Sequence, residues 1–192
     1  MSTGVPHMST HTALPAVLLA AVLWLPGAQA ASVAAPAAAA AAAAQHDTSR
    51  MAAHNKQLVD TAFKQWAAGG SGLFDTLLAS DVTWTIEGSG PFAGTVHGRD
   101  ALVDKAVRPL ASRLSTPLRP LHWQLWADGA HVIVQWEGAA TARDGAPYRN
   151  RYAWIMRMRD NKVVEVNAFL DLPHYTDVLQ RIPDTAARVG SP

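Results

Sequence analysis

The chain has 192 residues, with 16 basic and 15 acidic side chains, a formal net charge of +1 and no cysteine. So even a balance does not build the positive field that nucleic-acid binding needs, and the missing thiols exclude disulfides, thiol catalysis and thiolate metal sites. Every charged residue lies from Asp47 onward; an uncharged leader therefore precedes a mixed-charge part long enough for one domain with its own core.

Ala13 to Leu25 is a compact apolar run, closed by Pro26-Gly27 and followed by Ala28-Gln29-Ala30. That order resembles a secretory signal with a small-residue cleavage site, although the stretch before it carries histidines and no Lys or Arg. Residues 1–30 are accordingly expected to be a signal segment and the protein to be secreted or periplasmic. The run is too short for a stable membrane span. Residues 31–46 are almost pure alanine, with no amphipathic face to dock, and read as a linker or exposed spacer. The domain is expected over 47–185, with a tail at 186–192.

Asp47, Thr48 and Ser49 are N-cap residue types, and Gly69-Gly70 stops a helix. Met51, Asn55, Leu58, Ala62 and Trp66, with Phe63 beside them, recur at helical spacing between these limits. A short second helix is expected from Ser71, carrying Leu73, Phe74, Leu77 and Leu78. A strand then opens at Asp81, with Val82, Trp84 and Ile86 on one face and Thr83, Thr85 and Glu87 on the other. After a breaker-rich loop and a short strand through Val96, Gly98-Arg99-Asp100 starts a third helix with Leu102, Val103, Ala106, Val107, Leu110 and Leu114 as its stripe. Pro117 and Pro120 limit it.

Asp128-Gly129, Asp144-Gly145 and Asp160-Asn161 are hairpin signals between strand-like runs at 118–127, 130–142, 146–159 and 162–171. Leu121, Trp123 and Leu125 share a face of the first run, and Val132, Val134 and Trp136 a face of the second. On the third, Asn150, Tyr152, Trp154, Met156 and Met158 oppose Arg149, Arg151, Arg157 and Arg159. A terminal helix follows Pro173. Helices set apart from a four-strand meander imply an α+β domain with the helices on one sheet face. A twisted sheet of this kind curls around them.

Two stretches now resemble a known family. LFDTLLASDVTWTIEGSGPFAGTVHGRDAL is similar to the first half of a SnoaL-like domain, and NRYAWIMRMRDNKVVEVNAFLDLPHY to its second half, including the aromatic-x-Asp ending of the last strand. The resemblance places the chain in the SnoaL-like and NTF2-like superfamily, which includes ketosteroid isomerase. It implies a cone-shaped, curved antiparallel sheet wrapped around N-terminal helices and enclosing an apolar pocket. Carried over residue by residue, it puts Trp84, Ile86, Trp136, Asn150, Tyr152 and Trp154 on the pocket wall and Asp171 into the pocket; Asn167 and Phe169 share the face of Asp171 by period-two alternation.

A carboxylate walled by tryptophans is poorly solvated, so its pKa rises and it becomes a proton shuttle. Asp171 is thus the expected acid/base of an isomerase, cyclase or lyase without a cofactor. Tyr152 and Asn150 would donate to a developing enolate. The competing reading of Asp171 is the cap of the terminal helix. Glu87 is expected to face away from the pocket, His97 to lie near its mouth, and Arg99-Asp100 to serve as a helix start. Epoxide-hydrolysing members of the superfamily carry an Arg and an Asp where this chain has Trp136 and Gly138, so that reaction is not expected. Scattered histidines give no metal-binding spacing, and no cofactor is expected. The partner is a small hydrophobic or carbonyl-bearing molecule, either transformed or simply bound, with a homodimer through the sheet as a further expectation.

Overall fold

A computed structural model describes residues 31–71 and 73–184; the expected signal segment and tail lie outside the described residues. The chain divides into a unit ending at Ala38 and a unit from Ala39 to Pro192. Of the first, only the start of a helix is described, and every contact below belongs to the second. That helix, α1, runs Ala31–Ala67 without interruption. Asp47, Thr48 and Ser49 are therefore not its N-cap: they sit in mid-helix, where Thr48 Oγ1 donates back to the Ala44 carbonyl at 2.9 Å. The alanine tract is helical, as alanine's propensity favours, and residues 36–51 are exposed on all sides. The charge boundary is thus not a boundary of secondary structure.

From Ala52 onward α1 buries a face. Ala52, Asn55, Val59, Ala62, Phe63 and Trp66 are buried, a spacing of three or four that keeps them on one stripe. Met51 and Leu58 were expected there; Met51 is half exposed and Val59 takes the central position. A five-residue π-helical turn, Leu73–Leu77, stands where a second helix was expected. Strand β1 then starts at Leu78, earlier than Asp81, and ends at Ile86. Strand β2 (Gly94–His97) precedes α2 (Arg99–Leu102), a π turn (Val103–Val107) and α3 (Arg108–Ala111). Together they form the third helix expected, continuous over 99–111 and interrupted only by the π turn at its middle.

Four strands complete the sheet: β3 (Arg119–Asp128), β4 (His131–Thr141), β5 (Pro147–Arg159) and β6 (Lys162–Leu170), followed by α4 (Leu172–Arg181). The order across the curved, unclosed sheet is β2-β1-β6-β5-β4-β3. The meander is antiparallel as expected, but β1 runs parallel to β6, so the sheet is mixed. The third hairpin turns on Asp160 and Asn161, both at positive φ (52° and 62°), the type I′ geometry that matches the twist of its strands.

Alternation puts Val132, Val134 and Trp136 of β4, and Asn150, Tyr152, Trp154, Met156 and Met158 of β5, on the buried face. Two bulges shift this phase elsewhere. The β3–β4 register slips between Pro120 and His122, which turns Leu121 outward to 50% exposure while Trp123 stays in register with Trp136. The β5–β6 register slips between Arg157 and Met158, and from there Val166, Ala168 and Leu170 pair with Met156, Trp154 and Tyr152.

Among the described residues no helix is long and apolar enough to cross a membrane.

Candidate functional site

The buried face of the sheet is dominated by aromatic rings. Trp66 from α1, Trp84 from β1, Trp136 from β4 and Trp154 from β5 form one connected cluster with Phe63, mostly edge to face at centroid distances of 4.8 to 5.9 Å. Tyr152 stacks on Trp136 at 3.9 Å and 10°. Large rings on a strongly curved sheet cannot close every gap, and a cavity of about 640 Å³ remains between the sheet, the 99–111 helical segment and the loops at 69–71 and 114–119. That volume lies within the range of small-molecule sites.

The sheet contributes Trp84, Ile86, Trp136, Tyr152, Trp154, Ala168 and Leu170 to the wall. The helical segment contributes Leu102, Ala106, Val107 and Leu110, and α4 contributes Tyr175. Ser71, Ser115, Thr116 and Arg119 supply the polar side chains of the two loops. Neither an Asp, a Glu, a Lys nor a His lines the space among the described residues.

Of the residues singled out from the sequence, Trp84, Ile86, Trp136, Tyr152 and Trp154 meet on this wall. Asn150, Asn167, Phe169 and Asp171 do not line it. Asp171 is exposed and is the N-cap of α4, its Oδ1 accepting from the His174 amide at 3.2 Å. It is therefore not walled by tryptophans, and the placement of the acid/base in the cavity is corrected. Phe169 is 45% exposed on the opposite sheet face, paired with Ala153. Asn167 lies on that same outer face and donates to Glu87 Oε1 at 2.7 Å. The reason is strand phase: the bulge sets even-numbered residues of β6 inward, and 167, 169 and 171 are odd. Glu87 faces away from Trp84 and Ile86, as expected from alternation. His97 is exposed beside Thr83 Oγ1 at 3.3 Å. Gly98 caps α2, and Asp100 stands in its first turn.

Asn150 is buried behind the wall and ties three groups together. Its Nδ2 donates to the Asp171 carbonyl at 3.0 Å and to Tyr148 Oη at 3.1 Å, and its Oδ1 accepts from the Asp171 amide at 3.1 Å. The two backbone partners fix which way the amide points. Tyr148, fully buried and stacked on His174, thus accepts from Asn150 and has Tyr152 Oη 3.0 Å away. Either hydroxyl can donate in the Tyr148–Tyr152 hydrogen bond; the arrangement in which Tyr148 donates satisfies both and leaves the Tyr152 proton for a ligand. Burial raises the pKa of Tyr148, and raises that of Tyr152 well above the usual phenol range, an effect the neighbouring Tyr148 adds to. Burial also pushes Tyr175 up to about 12. All three phenols are neutral donors at physiological pH. A second buried donor on this wall, the Trp136 indole N–H, has no acceptor among the described residues.

Gly138 shares the inward face with Trp136. A Cβ there would stand 2.7 Å from Trp136 Cζ3, 2.9 Å from Leu118 Cδ1 and 3.3 Å from Tyr152 Cε2. The position aligned with an epoxide-hydrolase carboxylate thus has no room for a side chain.

A family model described as SnoaL-like domain matches residues 59–166, more than half of the chain. The chain belongs to the SnoaL-like family. Solved structures agree in fold. An NTF2-like protein from Burkholderia xenovorans LB400 is 21% identical, with a TM-score of 0.51 over 67% of this chain and 97% of that one. A proposed SnoaL-like polyketide cyclase from Jannaschia sp. CCS1 is 16% identical, with a TM-score of 0.54 over 69% and 96%. Bal32a, from a soil-derived mobile gene cassette, is 17% identical, with a TM-score of 0.56 over 67% and 98%. Among curated proteins none matches the sequence. At such identities the likeness concerns the fold, and what this SnoaL-like domain does is a matter of its own cavity.

Phe74, Leu170, Ala168, Tyr175 and Arg119 join the wall without having been singled out as site residues. The even-numbered apolar alternation of Val164, Val166, Ala168 and Leu170 was a usable signal for the β6 pair. Arg119 and Tyr175 reach the cavity through tertiary folding, for which the sequence has no local pattern.

Proposed function

We propose that this SnoaL-like domain binds a small, mainly apolar molecule in the cavity and holds one of its oxygens with Tyr152, without catalysing its conversion. The observation that carries this reading is the wall itself: tryptophans and aliphatics surround one relay-backed phenol, and no carboxylate or imidazole stands within it among the described residues. An isomerase or cyclase working by proton abstraction needs a base within reach of the substrate's C–H. The residue expected in that role, Asp171, caps a helix instead. Tyr152 is suited to donating to a carbonyl, and its raised pKa keeps its proton in place.

The test uses 2-dodecanone as probe. Calorimetric titration should give saturable one-to-one binding, weakened about three- to tenfold by Tyr152→Phe, the size of one neutral hydrogen bond. In D2O the protein should not accelerate exchange of the ketone's α-hydrogens; acceleration above buffer would show a working base and overturn the non-catalytic reading.

Export belongs to the same proposal. The apolar run ending in Ala28-Gln29-Ala30 supports it. Mature protein isolated from outside the cytoplasm should begin at Ala31 by intact mass, and full-length protein confined to the cytoplasm would refute it.

A further inference from the structure

The polar part of the cavity wall is not spread evenly. Apart from Tyr152 and Tyr175, its polar side chains belong to two stretches, 69–71 after α1 and 115–119 at the entry to β3. These loops meet through Arg119, whose Nη1 donates to the Trp66 carbonyl at 3.0 Å. Its Nη2 stands 3.6 Å from where a Cβ on Gly69 would be. Of the hydroxyls nearby, Ser115 Oγ donates to the Thr141 and Ala142 carbonyls, and Thr116 Oγ1 accepts from the Thr141 amide.

Arg119 differs from most arginines of the domain. Arg99, Arg108, Arg113, Arg149, Arg151, Arg157 and Arg181 each have a carboxylate within 4 Å. Arg119, only partly exposed, has none among the described residues, and its one hydrogen bond there goes to a neutral carbonyl. A guanidinium keeps its charge at any ordinary pH and presents a planar fork that matches a carboxylate. One N–H of that fork is committed to the C-terminal end of α1, which fixes the group on the cavity wall and leaves its other donors free.

We propose that Arg119 receives the anionic head of the ligand, so that the cavity selects an apolar molecule ending in a single carboxylate over its uncharged counterpart. This rests on the binding reading above and adds to it the charge of the ligand. The wall gives no second cation and no anion to oppose it. The apolar body would lie against Phe74, Leu110, Trp66 and Trp84, with the head at the two polar loops.

The experiment compares dodecanoate with 1-dodecanol, which share a chain and differ in head charge, by calorimetry on the full-length protein. Wild type should bind dodecanoate at least about tenfold more tightly, as a charge-assisted pair allows. Arg119→Gln should bring the two affinities together, while Arg119→Lys, which keeps the charge without the fork, should retain part of the preference. The unfolding midpoint of each variant is measured alongside, because Arg119 also holds the end of α1. Equal affinity for acid and alcohol in wild type would overturn the anion assignment and leave the binding cavity standing. A preference that survives in folded Arg119→Gln would overturn it as well. Failure of both probes to bind would overturn the cavity reading along with it.

Discussion

Gly138 shows how far one position constrains the site. Its neighbours on the inward face are two rings and a leucine, and the tightest contact for an added methyl would be a tryptophan ring carbon at 2.7 Å. Trp136 is held between Tyr152, Phe63, Trp66 and Trp154 and cannot swing aside cheaply. Gly138→Ala should therefore lower stability by about 1–3 kcal/mol, the usual cost of overpacking, measured by urea unfolding. An unchanged midpoint would mean that the cluster is looser than its geometry implies. The tyrosines set a second expectation. Their folded pKa values are raised above those of the unfolded chain, so they favour folding fully below pH 10 and that contribution fades as pH climbs through the folded values. For Tyr175 the window runs from 10.0 to about 12. Stability should fall steeply across it, by up to about 2–3 kcal/mol from this one phenol, and Tyr175→Phe should flatten the decline in alkaline denaturation curves.

At the scale of elements, the α4 junction explains why Asp171 stands outside the cavity it was expected to enter. Asp171 follows the last strand residue and precedes Leu172-Pro173, where a helix begins; the local chemistry of a cap fits that position as well as the chemistry of a pocket does. The competing reading was legible, and the bond from the His174 amide to Asp171 Oδ1 is that cap. Asp171→Ala should cost about 1 kcal/mol in thermal or chemical unfolding, Asp171→Asn much less, and neither should change the affinity for 2-dodecanone. A loss of binding with the fold intact would return Asp171 to the site. Strand β6 teaches the related lesson. Alternation read plainly puts Val166, Ala168 and Leu170 inward, whereas the aromatic-x-Asp resemblance drew attention to the odd residues. The bulged register, visible only once β5 and β6 pair, settles the phase. Leu121 was misplaced for the same reason, since a bulge adds one residue and reverses the face that follows.

For the whole molecule, the meander, its three hairpins and the two buried faces of β4 and β5 were legible because each rests on local period or turn chemistry. The parallel pairing of β1 with β6, the uninterrupted α1 and the convergence of Arg119 with the Trp66 carbonyl were not, because each joins residues far apart or depends on a propensity that composition masks. The outer sheet face carries the arginines expected of it, Arg149, Arg151, Arg157 and Arg159. It also carries Trp126, Ile133 and Ile155 in direct cross-strand register, each about 40–50% exposed. The proposed binding function rests on the inner face, whose defining property is the space that the rings leave open. Ala106 lies on that wall, on the helical segment opposite the sheet. Calorimetric titration of Ala106→Trp with 2-dodecanone tests the account most directly. An indole placed there should occupy the space and abolish the saturable binding expected of wild type, with the unfolding midpoint little changed; a folded variant that binds as tightly as wild type would contradict the cavity as the site.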